Sequence, residues 1–304
     1  MDVSHQQVVQ TAQRQRKFTF AFKKMHGLKN DFILIDCRLF SPDLVEAICA
    51  QARVICDRRI GIGADQILLL KEPQRYLDCS VRMEILNQDG SFAEMCGNGI
   101  RAVAVYLKEQ EKQGLLERRL YLVETVVGDP KRVEIFEDET VEVNMGVPTC
   151  LGREFHFTDP QYPDLVYYEV GMGNPHAVFF VPRGQGAWLR KELGSRIEND
   201  LKAFPDRTNV EFVEETDSPS QLKVYVWERG AGITPACGSG ACAVAVVRCQ
   251  VKQKFGEPIH IIFPWDEGSG TLQVRWAGGA EPVYMRGPAK EVYSGVYSIM
   301  HKVV

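Results

Sequence analysis

No apolar stretch in this 304-residue chain approaches the roughly 18 residues a membrane-spanning helix needs, and residues 1–17 (MDVSHQQVVQTAQRQRK) lack the apolar core of a secretory signal. Basic clusters are equally scarce. The formal net charge is −4, and beyond Arg14, Arg16 and Lys17 nothing offers nucleic acid an electrostatic footprint. The six histidines are scattered, with no His-x-x-x-His pair, and no Cys-x-x-Cys occurs, so no metal site is legible. A Gly-x-Ser-x-Gly elbow and a phosphate-binding loop ending in Gly-Lys-Ser/Thr are also missing. GIGADQ, from Gly61, lacks the third glycine of a dinucleotide fingerprint and leads into a strand rather than a helix. These absences leave a cytoplasmic protein of about two domains whose partner is a small molecule, with no membrane or nucleic acid involved. Nine cysteines, an odd number without the close spacing of a secreted scaffold, fit a reducing compartment.

What is present is one phrase written twice. MCGNGIRAVAVYL, from Met95, recurs as ACGSGACAVAVVR, from Ala236, with seven of thirteen positions identical. Each copy sets a cysteine, Cys96 or Cys237, before a Gly-x-Gly and a run of small apolar residues. Those glycines leave backbone N–H groups open, Asn98 or Ser239 can cap, and the Ala/Val run reads as a buried helix. Each cysteine is therefore expected at a helix N-terminus, where the macrodipole favours thiolate and pulls the acidity toward neutrality. A free cysteine in an apolar run is most often a small core residue. Recurrence with the same glycines and the same following helix argues against that reading for this pair.

In chain order, residues 1–17 read as a mobile tail. FTFAFKKMHG and FILIDC read as strands about a turn holding Asn30, and SPDLVEAICAQARVICDR as one helix capped by Ser41. Gln66 opens a strand and Asn87 closes one. Residues 119–146 alternate as antiparallel strands, and Gly146–Gly152 reads as a linker. The second half repeats the order: Asn174 and His176 in a turn, a helix from Trp188, Asn209 entering a strand, and Glu228 nine residues before Cys237, as Asn87 stands nine before Cys96. Asn30 to Gln66 is 36 residues and Asn174 to Asn209 is 35; Gln66 to Cys96 is 30 and Asn209 to Cys237 is 28. One α/β unit has been used twice.

Two such units can enclose a cleft in which a substrate carboxylate sits between two helix N-termini, as anions do. Two thiols would then flank its α-carbon. One thiolate removes the α-proton from one face while the opposite thiol delivers a proton to the other, which is racemisation without a cofactor.

The motifs GLKNDF, GIGADQ, NQDGS, EMCGNGIR, MGNPH, RTNVEF, WERGAG and ACGSGACA, in that order from Phe18 to the C-terminus, closely resemble the diaminopimelate epimerase family. The resemblance implies a cofactor-independent isomerase that interconverts LL- and meso-diaminopimelate for lysine and peptidoglycan precursor synthesis. It implies an α+β fold of two pseudo-symmetric α/β domains, each a curved, mostly antiparallel sheet wrapped around a central helix, with the active site between them. Residues 18–144 plus 288–304 would form the half carrying Cys96, and 145–287 the half carrying Cys237. Cys96 and Cys237 would be the acid–base pair. Gly97, Asn98, Gly238 and Ser239 would hold the reacting carboxylate. Asn30, Gln66, Asn87, Asn174, Asn209, Glu228 and Arg229 would bind the remaining substrate groups, with His176 and Glu228 tuning the thiols. Tyr293 would sit at a homodimer interface.

Four positions depart from the family pattern: Lys29 where a glycine is usual, Ile233 in place of a glutamate, TVVG from Thr125, and PWDEG from Pro264. Two other functions stay open on the residues alone. A sister racemase of another amino acid would keep both cysteines without needing Arg229, Asn87 and Asn209 for a second charged head group. A non-catalytic amino-acid binder or redox sensor could instead close the two thiols into a disulfide.

Overall fold

The computed structural model describes residues 15–93, 95–111, 119–149, 153–159 and 161–302. Its first unit runs β1 (Gln15–Gly27), β2 (Asn30–Asp36), α1 (Pro42–Ala50), α2 (Ala52–Cys56), β3 (Gln66–Lys71), β4 (Val81–Asn87), β5 (Phe92–Ala93), α3 (Gly97–Glu111), β6 (Leu120–Thr125), β7 (Lys131–Ile135) and β8 (Val141–Gly146). After β9 (Glu154–His156) the order recurs: β10 (Val166–Gly171), β11 (Pro175–Phe180), α4 (Gly186–Glu198), β12 (Asn209–Glu215), β13 (Gln221–Glu228), β14 (Gly232–Ile233), α5 (Gly238–Lys252), β15 (Ile259–Pro264), β16 (Ser269–Trp276) and β17 (Val283–Gly287). β18 (Lys290–Lys302) ends the chain.

The pairings recur with the order. β2 and β3 are parallel, as are β11 and β12; β4 and β6 are parallel, as are β13 and β15; the other ladders within each unit are antiparallel. The units are joined where β8 and β17 pair antiparallel, so each unit offers its last strand to the other. β18 then returns to lie antiparallel along β1.

The burial pattern explains the layers. Leu68 and Leu70 of β3 face the core that contains α3, while Ile67 and Leu69 face α1 and α2 on the opposite side. An uninterrupted apolar run is what a strand covered on both faces requires. β12 is similar: Val210 and Phe212 pack on Leu189, Leu193 and Ile197 of α4. α3 and α5 are buried along most of their length, and their Ala/Val side chains share one continuous core that spans both units. Small residues let each sheet close tightly around its helix. No helix of the described residues is long and apolar enough to cross a membrane.

Three local expectations are corrected. Gln15, Arg16 and Lys17 are not part of a tail: they extend β1 opposite Met300–Lys302, because β18 reaches that far and supplies partners for their backbone groups; residues 1–14 lie outside the described residues. The expected single helix over 41–58 breaks at Gln51, and Ser41 makes no side-chain cap hydrogen bond. Within the expected linker, Gly146 completes β8 with φ +91° and Thr149 bridges Gly171; residues 150–152 lie outside the described residues.

Candidate active site

The chain enters β2 through a two-residue turn in which Leu28 and Lys29 both adopt left-handed backbone, φ 56° and 69°. That geometry matches the twist of the flanking strands. It delivers Asn30 to the N-terminus of α3. Asn30 Oδ1 accepts from Asn98 Nδ2 at 3.1 Å and from the Cys96 thiol at 3.7 Å. In the second unit Asn174 Nδ2 donates to Ser239 Oγ at 3.4 Å, and that hydroxyl lies 3.4 Å from Cys237 Sγ.

The helix ends are capped by sulfur. Gly99 N–H donates to Cys96 Sγ at 3.4 Å and Gly240 N–H to Cys237 Sγ at 3.3 Å, with Cys237 in extended backbone at the N-cap. The expected caps, Asn98 and Ser239, turn instead to Asn30 and Asn174. Both helix ends converge on Met285 of β17. A Cβ on Gly97 would lie 2.9 Å from Met285 Cε, and one on Gly238 would lie 3.2 Å from Met285 Sδ and 3.6 Å from Asn98 Oδ1. A side chain at either glycine would have to displace the flexible end of Met285, against which both repeated motifs pack.

Glu228, at the end of β13, faces both thiols. It accepts a hydrogen bond from Thr234, and its charge acts on both Cys237 and Cys96. Burial holds its carboxyl up at about 6. The thiols themselves correct the expectation of a lowered pKa. Burial pushes the Cys96 thiol up to about 11 against the pull of Gly99 N–H. Burial, then the Glu228 and Glu211 charges, push Cys237 well above its ordinary value. Desolvation of a thiolate here exceeds what a helix end returns.

A raised carboxyl has a measurable consequence. The Glu228 contribution to stability is present below pH 4.5 and is lost as pH rises through about 6, after which the folded state carries a buried charge. In thermal unfolding, the stability of Glu228→Gln relative to wild type should therefore rise between about pH 4 and about pH 8. A constant difference would mean that the carboxylate is solvated.

The other expected residues fall in register pairs. Gln66 sits opposite Asn87 and donates to its Oδ1 at 2.9 Å, leaving its own buried Oε1 without a partner among the described residues. Asn209 sits opposite His176; it donates to Pro175 O at 2.8 Å and accepts from Arg229 N–H at 3.0 Å. His176 Nε2 lies 3.0 Å from Asn174 Oδ1 and its Nδ1 lies 2.8 Å from Glu211 Oε1, both side chains fully buried. The Arg229 side chain is exposed and donates to Asp206 O at 2.9 Å. Tyr293 stands apart on β18, its ring edge-on to Phe22 and its hydroxyl 3.4 Å from Ile62 O. Two departures from the family pattern meet: Lys29 Nζ lies 4.2 Å from the Trp265 ring centroid, and Trp265 Nε1 donates to Pro235 O, two residues before Cys237.

Sequence reasoning missed three polar residues. Arg101 is fully buried in α3 and donates to Asn98 Oδ1 at 2.8 Å and Pro288 O at 3.2 Å; among the described residues it forms no ion pair. A cation inside the apolar run IRAVAV was a legible signal, since the repeat carries Cys242 there. Glu211, paired to His176, and Asp65, bonded to Asn30 at 3.0 Å, gave none, because their partners are distant in sequence. Of the other cysteines, burial pushes Cys37 up to about 12 and Cys56 and Cys249 up to about 11, as inert core thiols should be; Cys150 lies outside the described residues.

A family model described as diaminopimelate epimerase matches residues 22–151 and 168–292. The chain is 43% identical over 288 residues to the diaminopimelate epimerase of Desulforudis audaxviator, covering 90% of this chain and 98% of the relative. With that of Carboxydothermus hydrogenoformans the identity is 42% over 287 residues, covering 91% and 98%. Among solved structures, a probable proline racemase from Agrobacterium radiobacter superposes with a TM-score of 0.65 at 13% identity, over 91% of this chain and 92% of that one. A phenazine biosynthesis protein of the PhzF family from Bacillus anthracis gives 0.61 at 14%, over 92% and 99%. Identities this low speak to the fold alone.

Proposed function

The chain belongs to the diaminopimelate epimerase family, and from that premise we propose that it interconverts LL- and meso-diaminopimelate by passing protons at one α-carbon between Cys96 and Cys237. It is an isomerase of the racemase and epimerase class. The observation that carries the residue assignment is the convergence of two cysteine-capped helix ends on Met285, with Glu228 facing both thiols.

In this reading the reacting carboxylate lies at the two helix ends, met by backbone N–H groups at Gly97, Asn98, Gly238 and Ser239. One sulfur, as thiolate, takes the α-proton; the electron pair left on carbon is drawn toward the carboxylate, which those N–H groups stabilise. The opposite thiol then delivers its proton to the other face. The two sulfurs exchange protonation states, and no redox or covalent step is needed. Glu228 and the His176–Glu211 pair surround Cys237, while Asn30, Asn98 and Arg101 surround Cys96. Gln66, Asn87, Asn174, Asn209 and Arg229 bind the remaining amine and carboxylate groups. The second carboxylate distinguishes this substrate from the cyclic amino acids of the proline racemase fold.

We also propose the division into residues 15–144 with 288–304, and 145–287, the first bound moved from 18 to 15 because Gln15–Lys17 belong to β1, and supported by the return of β18 to β1. Cytoplasmic action in lysine and peptidoglycan precursor synthesis follows the same family reading. Homodimerisation along β18 is supported by the exposure of Val292, Val296 and Met300 on one of its faces and of Tyr293 on the other.

Incubation with LL- or meso-diaminopimelate in heavy water, followed by mass and chiral analysis, tests the function. Deuterium should enter the α-position as the isomers interconvert. Labelling of proline or hydroxyproline, with diaminopimelate left unlabelled, would overturn it.

A further inference from the structure

The amide of Asn30 is held in one orientation from both ends. Its Nδ2 donates to Asp65 Oδ2 at 3.0 Å, and a carboxylate can only accept. Its Oδ1 accepts from Asn98 Nδ2, and Asn98 is itself oriented because its Oδ1 accepts from Arg101, which can only donate. A directed chain of hydrogen bonds therefore runs from Arg101 through Asn98 and Asn30 to Asp65. Its side effect is that the Cys96 thiol meets an acceptor, Asn30 Oδ1. Asp65 is fixed in turn: Arg58 bridges Asp65 and Asp31 at 2.7 Å each, Asp31 N–H donates to Asp65 Oδ2 at 3.1 Å, and Lys24 pairs with Asp31 at 2.6 Å. The second unit has no such arrangement, since there His176 faces the Oδ1 of Asn174 and the Nδ2 turns toward Ser239.

We infer that Asp65, clamped by Arg58, is a positioning residue for the Cys96 half of the site: by fixing Asn30 it keeps an acceptor on the thiol that must hold and deliver a proton. This rests on the reading of Cys96 as one of the acid–base pair. The charged groups facing Cys96 are Glu228 from β13 and Arg101 from α3, and neither is touched by a change at Asp65.

The test compares Asp65→Ala with Asp65→Asn in the full chain, using iodoacetamide and peptide mapping to follow Cys96 and Cys237 across pH. In Asp65→Ala, Asn30 loses its anchor and the thiol its fixed acceptor. Cys96 should then alkylate about three- to tenfold faster relative to Cys237, with its pH midpoint lowered, and diaminopimelate turnover should fall about tenfold. Asp65→Asn retains an oxygen for Asn30 while Arg58 keeps its two hydrogen bonds to Asp31, so both readouts should return to within about twofold of wild type. A purely structural role would move both cysteines together. An unchanged Cys96-to-Cys237 ratio in Asp65→Ala, or an Asp65→Asn variant as impaired as Asp65→Ala, would overturn the assignment. If Asp65→Ala does not fold, Asp65→Ser, whose hydroxyl is too short to reach Asn30, reads the same ratio. Wild-type exchange in heavy water reports separately on the function itself.

Discussion

Alanine at either Cys96 or Cys237 is expected to abolish interconversion in both directions. Each direction uses one sulfur as base and the other as acid, so losing either removes one of two steps that each contribute about 10²–10⁴-fold. The loss should therefore reach at least about 10²-fold for each variant. The remaining thiol can still exchange the α-proton of the isomer that faces it, returning label without inversion. The single variants should thus show slow, isomer-selective deuterium uptake and no interconversion. Alanine also removes the sulfur that accepts Gly99 or Gly240 N–H, so the serine variants serve as controls: they keep a cap, yet their hydroxyl is too weak an acid to exchange protons at the required rate. Full interconversion by either alanine variant would dispose of the two-base mechanism.

The second large effect is expected at Arg229. Its backbone N–H is fixed by Asn209 and one guanidinium nitrogen by the Asp206 carbonyl, which among the described residues leaves the rest of the fork free for a carboxylate. A guanidinium binds a carboxylate through two parallel bonds, and an ammonium cannot. Arg229→Lys should lose about 1.5–3 kcal/mol of that interaction, raising KM for diaminopimelate roughly ten- to a hundredfold. The thiols should change little, because burial leads the shift of each and Arg229 is not among its principal causes. Steady-state kinetics and alkylation rates should therefore separate in this variant. Unchanged KM for diaminopimelate would show that the distal carboxylate is bound elsewhere, and would advance a sister racemase as the better reading.

Much of this was legible in the residues because it is local or repeated. Alternation marked β1 and the strands β6 to β8; the recurring Cys-Gly-x-Gly placed Cys96 and Cys237 at the starts of α3 and α5. Spacing alone aligned Asn30 with Asn174, Gln66 with Asn209 and Asn87 with Glu228, and the parallel register of β2 with β3 and of β11 with β12 keeps that alignment. Tertiary structure decided what depends on distance across the chain and on access to water. Thiol acidity was misjudged from the helix end because that field is local, whereas burial of the thiols depends on how the rest of the chain packs around the two helix ends. Asp65 and Glu211 acquired roles through partners 35 residues away, and Arg101 reaches Pro288, 187 residues away, which no short window of sequence brings together. The seam between β8 and β17 is likewise invisible locally, since a strand's pattern shows which face is buried and not which edge it will meet.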